Sequence, residues 1–436
     1  MKLGKLSLVA VMALGTSAFA IDNVKVNGEA KVWYQTTENN NDSTKDFFDK
    51  DTNSMAEVKL SVGATADLLQ NLSAGVKMTA LSTLGLENNL VGNVPAATTE
   101  MDGDAATEPL KDQSWVEELY LAYTMGKTTA KIGRQALNTP LAFTETWNVV
   151  DNTFEAAVLL NNDLPDTTLV AAWVGGHNGT GMITEKAGAT VLAAGRGKTV
   201  SNSGEFGTFG LDGAYAAGAI NKSIPDTTVQ AWYYNVDNVA DAFWLQADAK
   251  VLGMVSLGVQ YAGMNPDGTT RDLTAATSQR DTDATAVKAA VDVAGVNLYA
   301  AYSSVTDGTL GFANVATGDK SSLYTTLGSI YLDGEIAAAP DTNTWKVGAS
   351  TKLVPGVALS TSYGVAKTGD NEGTVAVSKG ASTNNCEFTA WDVVANTQVG
   401  PVGLTAIYTQ FEKDVDNTTA GDNLTDSIRI IASLKF

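Results

Sequence analysis

The feature that most constrains the fold is a polar–apolar alternation of period two that recurs along nearly the whole chain. Residues 56–64 show it clearly, because apolar side chains occupy the even positions and Glu57, Lys59 and Ser61 lie between them. Residues 72–80 repeat the pattern. Successive side chains of a β-strand point to opposite faces, so each segment predicts a strand with one apolar and one polar face. The alternation therefore predicts an all-β fold.

About 18 segments carry this alternation, and short connections between them alternate with long ones. The segments lie near residues 24–36, 54–68, 72–84, 114–125, 128–135, 154–161, 167–176, 206–218, 227–237, 240–251, 254–264, 284–293, 296–305, 343–352, 356–367, 386–397, 402–412 and 424–436. The long connections are 37–53, 85–113, 136–153, 177–205, 265–283, 306–342, 368–385 and 413–423. Only residues 238–239 interrupt the order. The pattern predicts a transmembrane antiparallel up-and-down β-barrel of about 18 strands, with short periplasmic turns and long extracellular loops. A secreted β-sandwich or β-helix would also alternate, but would not show this order of connection lengths.

Residues 1–20 have the pattern of a secretory signal peptide. Two lysines precede the apolar segment 6–14, and the small-residue sequence Ala-Phe-Ala at 18–20 is typical of a cleavage site. The apolar segment is too short to span a bilayer as a helix. We therefore expect residues 1–20 to be removed on export and residues 21–436 to form one outer-membrane barrel domain.

The last predicted strand alternates apolar and polar residues up to Phe436. A closed barrel must pair its last strand with its first, because an unpaired edge in lipid leaves backbone groups unsatisfied. An amphipathic strand that ends in phenylalanine resembles the recognition signal of bacterial outer-membrane proteins. It predicts as partners the barrel assembly machinery, through Phe436, together with outer-membrane lipids and lipopolysaccharide.

The composition argues against several classes of function. A formal net charge of -20 excludes nucleic acid as a partner, because nothing would neutralise the phosphates. Cys386 is the only cysteine, and His177, the only histidine, lies in a glycine-rich connection. A serine nucleophile normally needs a histidine base, so we expect no enzyme activity, and we expect no cofactor and no metal site. The Asp102-Gly103-Asp104 sequence is read as a turn, with calcium binding left open.

A motif around the third long connection carries a family resemblance. Residues 131–141 read KIGRQALNTPL and residues 153–156 read TFEA. They resemble the GRQ-x-x-NTP…TFE stretch of the substrate-specific porins of pseudomonads, and the layout is similar to that of the campylobacter-type major outer membrane porins. The resemblance implies an 18-stranded porin, commonly a homotrimer, whose loop 136–153 narrows the lumen.

The same resemblance implies roles for individual residues. The residues carried over are Arg134 and Gln135 on the wall strand before the loop, Asn138 and Pro140 at its start, and Phe154 and Glu155 at its return. One position raises a conflict, because strict alternation places Arg134 on the lipid face with Ile132, where a charge is costly. A bulge at Gly133 that redirects the side chain, or a location at a subunit interface, would each resolve it.

Charged residues on the predicted constriction and wall are the candidate pore residues. We expect Glu145 and Asp151 of the loop to line the constriction, together with Lys131, Arg134 and Glu155 of the wall. Lysines at polar-face positions of the first three strands are expected to line the pore. These pore-lining candidates are Lys25, Lys31, Lys59 and Lys77.

Two observations bear on selectivity. The specific porins guide carboxylates with a ladder of arginines, whereas this chain has only five arginines and three of them fall in predicted loops. General diffusion is favoured over a dedicated carboxylate channel. Loops 37–53 and 85–113 are rich in acidic residues. A pore mouth that carries charges of one sign raises the local concentration of ions of the opposite sign. These loops predict a preference for cations, and the alternative that these acids only solvate the loops stays open.

The sequence thus predicts a porin of the Gram-negative outer membrane that passes small hydrophilic solutes and ions by passive diffusion. The first alternative is a substrate-specific porin for small organic solutes. The second is a surface adhesin or S-layer-like structural protein, which would account for the acidity but not for the apolar strand faces or Phe436.

Overall fold

The computed structural model describes most of the chain. The described residues are 21–39, 46–49, 54–86, 90–92, 94–95, 112–180, 199–201, 204–209, 213–237, 239–267, 280–328, 336–369, 385–415 and 423–436, with the backbone alone at 184–186 and 189–191. The predicted signal peptide 1–20 and the Asp102-Gly103-Asp104 sequence lie outside them. Among the described residues, no helix is long and apolar enough to cross a bilayer.

The strands follow the alternation of the sequence closely. They are β1 (Asp22–Asn39), β2 (Ser54–Leu69), β3 (Leu72–Ser82), β4 (Gln113–Met125), β5 (Thr128–Gln135), β6 (Phe154–Asn161), β7 (Thr167–His177), β8 (Thr184–Lys186), β9 (Ala189–Val191), β10 (Gly207–Thr208), β11 (Ala214–Asn221), β12 (Thr227–Val236), β13 (Ala240–Val251), β14 (Val255–Pro266), β15 (Thr282–Val293), β16 (Val296–Val305), β17 (Thr342–Thr351), β18 (Val357–Thr368), β19 (Cys386–Val399), β20 (Val402–Val415) and β21 (Asn423–Lys435). Short strands β8, β9 and β10 lie in the connection between β7 and β11, and the other 18 form one antiparallel barrel. The predicted fold class is confirmed.

The barrel closes between β1 and β21. The two strands pair from Glu29 opposite Lys435 to Asn39 opposite Thr425. Beyond them, Gly28 N–H donates to the carbonyl oxygen of Phe436 at 2.7 Å, and Phe436 N–H donates back to Gly28 at 3.0 Å. Closure satisfies the backbone groups that an edge strand would expose to lipid.

The outer face of the barrel is apolar, as the alternation predicts. Leu60, Met78, Ile132 and Ile430 are each at least half exposed, although they are large aliphatic side chains. A soluble barrel would bury such residues, whereas the lipid-facing band of a membrane barrel is made of them. The polar positions between them face inward.

One predicted strand is displaced. The alternation predicted a strand at 206–218, whereas the barrel strand β11 spans Ala214–Asn221. Among the described residues of the earlier part, 207–208 pair with the end of β7, and Phe209 N–H donates to the carbonyl of Gly175 at 2.9 Å. Gly213 explains the break, because its φ is +84° and a Cβ there would press on the backbone of β7.

Residues 136–153 and 306–328 pack inside the barrel, on inner-face side chains. Leu141 of the first segment and Phe312 and Leu323 of the second share a buried cluster with Trp232 and Trp244 of the wall. The sequence singled out only 136–153 for this place, and the second loop was missed.

Two further clusters hold the ends of these loops. Val149 and Val150 pack with Trp33 and Trp115 on the side of β1 and β4. Loop 136–153 therefore reaches across the lumen, since its other end packs on β12 and β13. Leu327 and Ile336 of the second loop pack with buried residues of β18, β19 and β20.

Candidate functional site

A row of charged side chains crosses the inner face of β1 to β4. Lys59 is paired with Glu29, and Lys31 Nζ lies 3.9 Å from the same carboxylate. Lys77 Nζ lies 2.7 Å from Glu117 Oε1. The sheet register assembles the row, because Lys31 lies opposite Lys59 and would repel it without Glu29 between them.

A β-bulge places Glu117 in this row. The register between β3 and β4 shifts after Lys77, which lies opposite Glu118, whereas Met78 lies opposite Val116. The extra residue turns two consecutive acids towards the lumen, and Glu117 is only 1% exposed. Thr79 donates a hydrogen bond to its second oxygen.

Loop 136–153 meets the row directly. Lys31 Nζ donates to the backbone carbonyl of Asn148 at 3.1 Å. Asp151 Oδ2 lies 4.0 Å from Lys77 Nζ, and Thr153 Oγ1 donates to the carbonyl of Glu117 at 2.9 Å. The loop is therefore held against the charged wall at three points, and Asp151 adds a carboxylate to it.

An aromatic–cation stack lies beside this contact. Arg429 donates from Nε and Nη2 to Gln35 Oε1 at 3.0 and 2.8 Å, and its side chain is buried. Its guanidinium carbon lies 4.9 Å from the ring centroid of Trp33 and 5.5 Å from that of Trp147. Arg429 thus ties the loop residue Trp147 to the wall strands β1 and β21.

Glu145 joins the two inward loops. Its Oε1 accepts hydrogen bonds from Asn314 Nδ2 at 2.9 Å, from Lys320 N–H at 3.1 Å and from the hydroxyl of Thr317. Its Oε2 accepts from the indole N–H of Trp147. Glu145 is 3% exposed, so its carboxylate is occupied by protein donors rather than by the water of the lumen.

The loop of residues 306–328 is fixed to the facing wall by polar contacts. Tyr324 donates its hydroxyl to Asp248 Oδ1 at 2.9 Å, and Lys288 Nζ lies 2.7 Å from the same oxygen. Burial raises the pKa of the Tyr324 hydroxyl, and the hydrogen bond to Asp248 raises it further. Gln260 binds the carbonyl of Ser322 at 2.8 Å, which adds a second anchor.

The constriction formed by these parts carries balanced charge. The row and loop 136–153 bring three ammonium groups and three carboxylates into contact, and they belong to Lys31, Lys59, Lys77, Glu29, Glu117 and Asp151. Opposite charges side by side produce an electric field across the pore, and they do not repel ions of one sign in preference to the other. The described constriction therefore gives no support to a preference for cations.

The structure places the remaining predicted residues elsewhere. Lys25 lies at the exposed turn end of β1. Lys131 lies on the inner wall with its ammonium 3.6 Å from the ring centroid of Tyr120. Their part in conduction stays a prediction.

Arg134 and Glu155 are paired with each other and are not brought to the charged row. Arg134 Nε lies 2.9 Å from Glu155 Oε1, and its guanidinium lies 4.0 Å from the ring centroid of Phe206. The pairing of β5 with β4 and β6 is regular, so no bulge turns the side chain inward. Both residues lie on the outer face of the barrel, on the same side as Ile132. The ion pair with Glu155 reduces the cost of the Arg134 charge on that face.

Sequence reasoning missed Glu117, Arg429 and the second inward loop. Two consecutive acids in an alternating strand, Glu117 and Glu118, were an available signal for a bulge. Arg429 stands at a polar-face position of the last strand, so its inward direction was also readable. Nothing comparable marks loop 306–341, since its contacts depend on residues distant in sequence.

The family model described as Campylobacter major outer membrane protein matches residues 1–429. The chain belongs to this family. Members are outer-membrane proteins, so the chain is an outer-membrane, porin-like channel. No curated protein sequence matches the chain.

Solved structures support the same fold for this family member. OccK8 (OprE) of Pseudomonas aeruginosa is similar with a TM-score of 0.70 and 16% identity, over 96% of this chain and 99% of that one. Pseudomonas aeruginosa OpdK with vanillate gives 0.67 and 14%, over 96% and 100%. OccK2 (OpdF) of the same organism, in complex with glucuronate, gives 0.64 and 14%, over 96% and 99%. Both predicted resemblances are confirmed. At these sequence identities, the solved structures are evidence for the fold alone.

Proposed function

We propose that this protein is a passive diffusion channel for small hydrophilic solutes and ions across the outer membrane. One observation carries the proposal: a closed barrel whose inner wall bears the row from Lys31 to Glu117, narrowed there by loop 136–153. An apolar outer band with a charged inner wall suits a water-filled lumen. No energy source is needed for such transport, and no catalytic step is part of the proposal.

Planar-bilayer recording of the purified protein tests this function. We expect stable, ohmic single-channel steps in simple salt solutions. An absence of open channels in protein that is folded by heat-modifiability on gels would exclude the proposal. Reversal potentials across a salt gradient measure selectivity in the same experiment.

Selectivity for cations is retained only as a prediction from the acidic loops 37–53 and 85–113. Most of their acids lie outside the described residues, and the constriction is balanced. We therefore expect the bias to come from the mouth and to weaken steeply with salt, because exposed charges are screened beyond about 10 Å at 0.1 M salt. A reversal potential that favours anions would exclude it.

Substrate specificity is the second candidate function. Two structural relatives were solved with vanillate and with glucuronate, which are organic anions. In this chain, Lys31, Lys59 and Lys77 are each close to an acid, so no unbroken basic track runs along the described wall. General diffusion is therefore favoured, and saturable uptake of an organic anion in liposome-swelling assays would favour specificity instead.

We also propose a homotrimer that contacts neighbouring copies through the outer face of β3 to β7. A shallow apolar depression of about 680 Å³ lies there, bordered by Leu121, Ile132 and Trp173. The Arg134–Glu155 ion pair shares this face, and charges are costly against lipid but tolerated when paired in a protein interface. Cross-linking or native mass measurement of the detergent-extracted protein tests the trimer.

Export and assembly complete the proposal. Residues 1–20 would direct export and be removed, which N-terminal sequencing of the mature protein tests. The strand that ends at Phe436 would be recognised by the barrel assembly machinery. In the membrane, the outer face would contact lipid and lipopolysaccharide.

A further inference from the structure

A polar cavity of about 290 Å³ lies on the inner wall of β16 to β19, beneath the inward loop. It is separate from the charged row of β1 to β4, which lies on other strands. Its lining includes Asn297, Tyr299, Lys346, Ser360, Ser362 and Asp392. Among the described residues of the loop, Gly328 is the one that borders the cavity.

The floor of the cavity consists of two rows of residues, which the register of the sheet aligns across neighbouring strands. The first row runs from Tyr299 through Gly348 and Ser362 to Asp392, each residue opposite the next on the neighbouring strand. The second row, one step nearer the short turns, is Asn297, Ser350, Ser360 and Val394. Residues directly opposite each other point to the same face, so the polar groups of both rows converge on the cavity.

Asp392 is the acidic group of this floor, and it is 96% buried. Lys346 is the basic residue of the lining, and its ammonium donates to the backbone carbonyl of Thr326 at 2.5 Å. Its Oδ1 accepts a hydrogen bond from Thr409 at 2.5 Å. In the part of the chain that the structure describes, no cation lies within ion-pair distance of the carboxylate and no donor reaches Oδ2. A buried carboxylate without a cation is unfavourable, so the site is suited to a ligand that supplies one.

The neighbouring groups suit an ammonium ion rather than a metal. No protein hydrogen bond reaches the hydroxyls of Tyr299, Ser360 or Ser362 among the described residues. The Tyr299 ring lies against Gly348, where a Cβ would be 2.7 Å from Cε1, so the ring is spread flat along the wall. Hydroxyl oxygens and an aromatic face replace the hydration of an ammonium group. A calcium ion needs six or more oxygen ligands and usually several carboxylates, and this cavity has one.

We propose that this cavity is a binding site for the ammonium group of small organic cations that pass through the channel. The ammonium would donate to Asp392 Oδ2 and to the hydroxyls of Ser360 and Ser362, while Tyr299 covers its carbon chain. The inference rests on the proposed channel function and adds a solute class to it.

Single-channel recording with three probes of similar size tests the site: ethanolamine, which is a cation at pH 7, neutral ethylene glycol, and anionic glycolate. We expect ethanolamine to reduce the wild-type current in a saturable manner and the other two to have no saturable effect. Asp392→Asn should weaken the ethanolamine effect at least about tenfold, because a charge-assisted hydrogen bond is lost. Ser362→Ala should weaken it less.

Asp67→Asn is the matched control, because it removes one carboxylate from the turn end of β2 with the same chemical change. It should leave the ethanolamine effect unchanged. Equal weakening by Asp67→Asn and Asp392→Asn would overturn the site in favour of a general charge effect, and so would an unchanged Asp392→Asn.

Calorimetric titration of the detergent-purified wild type with ethanolamine separates this inference from the channel function. Saturable binding that Ser362→Ala weakens supports the site even if Asp392→Asn fails to fold. Channels without any ethanolamine binding overturn the site but leave the function intact. Binding without channels removes the function while the cavity stands as a cation site.

Discussion

Glu145 Oε1 lies 2.9 Å from Asn314 Nδ2, and this hydrogen bond joins two loops whose residues are 169 positions apart. Thr317 and the backbone N–H of Lys320 donate to the same oxygen. Glu145 therefore joins the two loops by hydrogen bonds rather than lining the aqueous path. We expect the width of the constriction to depend on both loops keeping this contact.

Glu145→Gln tests this connection between the loops. The amide keeps one oxygen as acceptor for Asn314, Thr317 and Lys320, but its NH2 group then faces the indole N–H of Trp147, which is also a donor. We therefore expect a loss of about 1–3 kcal/mol in the contact. Single channels should become noisier, with frequent transitions between conductance levels, while ion selectivity changes little. A quiet channel of altered selectivity would contradict this placement.

Asp151→Asn is the counterpart on the same loop. Its carboxylate is partly exposed and lies 4.0 Å from Lys77 Nζ, so its loss leaves the charged row with an excess of positive charge. We expect the reversal potential to shift towards anions without added noise. The pair of variants separates the two roles, because we expect added noise only from the Glu145 variant and a change of selectivity only from the Asp151 variant.

Lys77→Met tests the buried ion pair of the wall. Glu117 would remain buried with Thr79 as its side-chain donor, and removing one partner of a buried pair costs about 3–5 kcal/mol. We expect a lower temperature for the loss of the folded band on heat-modification gels. Lys25→Met is the control, since an exposed lysine should change stability by no more than about 0.5 kcal/mol. Equal stability of the two variants would refute the role of the pair.

Gly28→Val tests the closure of the barrel. A side chain at Gly28 would collide with the ring of Phe436, which lies over this glycine, and would disturb the two backbone hydrogen bonds there. We expect slower folding into detergent or liposomes and less folded protein. Gly126→Val is a poor control because of its positive φ, whereas Gly403→Ala has only ordinary contacts and should fold normally.

Exchanging the partners of the outer ion pair tests the proposed subunit interface. Arg134→Glu leaves two acids facing each other, and we expect the oligomer to dissociate at a lower temperature in detergent. Adding Glu155→Arg restores the pair and should recover most of the loss, as a double-mutant cycle would show. Oligomers that are equally stable in all three variants would place the interface elsewhere.

The barrel was predictable because its signal is local and repeated. The strands at 54–68 and 240–251 can be predicted from one rule, namely that neighbouring side chains of a strand face opposite sides of the sheet. Because one side faces lipid, apolar residues are required at every second position. Phe436 and the inward lysines followed from the same parity. The one displaced strand lies where Gly213 interrupts the parity, which is a change of backbone conformation rather than of hydrophobic pattern.

The sequence by itself determined the strands, their faces and the closure of the sheet, since each depends on residues that are adjacent in the chain or on a continuous pattern. Only the tertiary structure decided that a second loop enters the lumen, that Glu145 is buried between Asn314 and Trp147, and that Glu117 balances Lys77. Each of these features depends on contacts between residues that are far apart in sequence. Their physical cause is the packing of apolar loop residues on opposite walls, for which a single strand's pattern carries no signal.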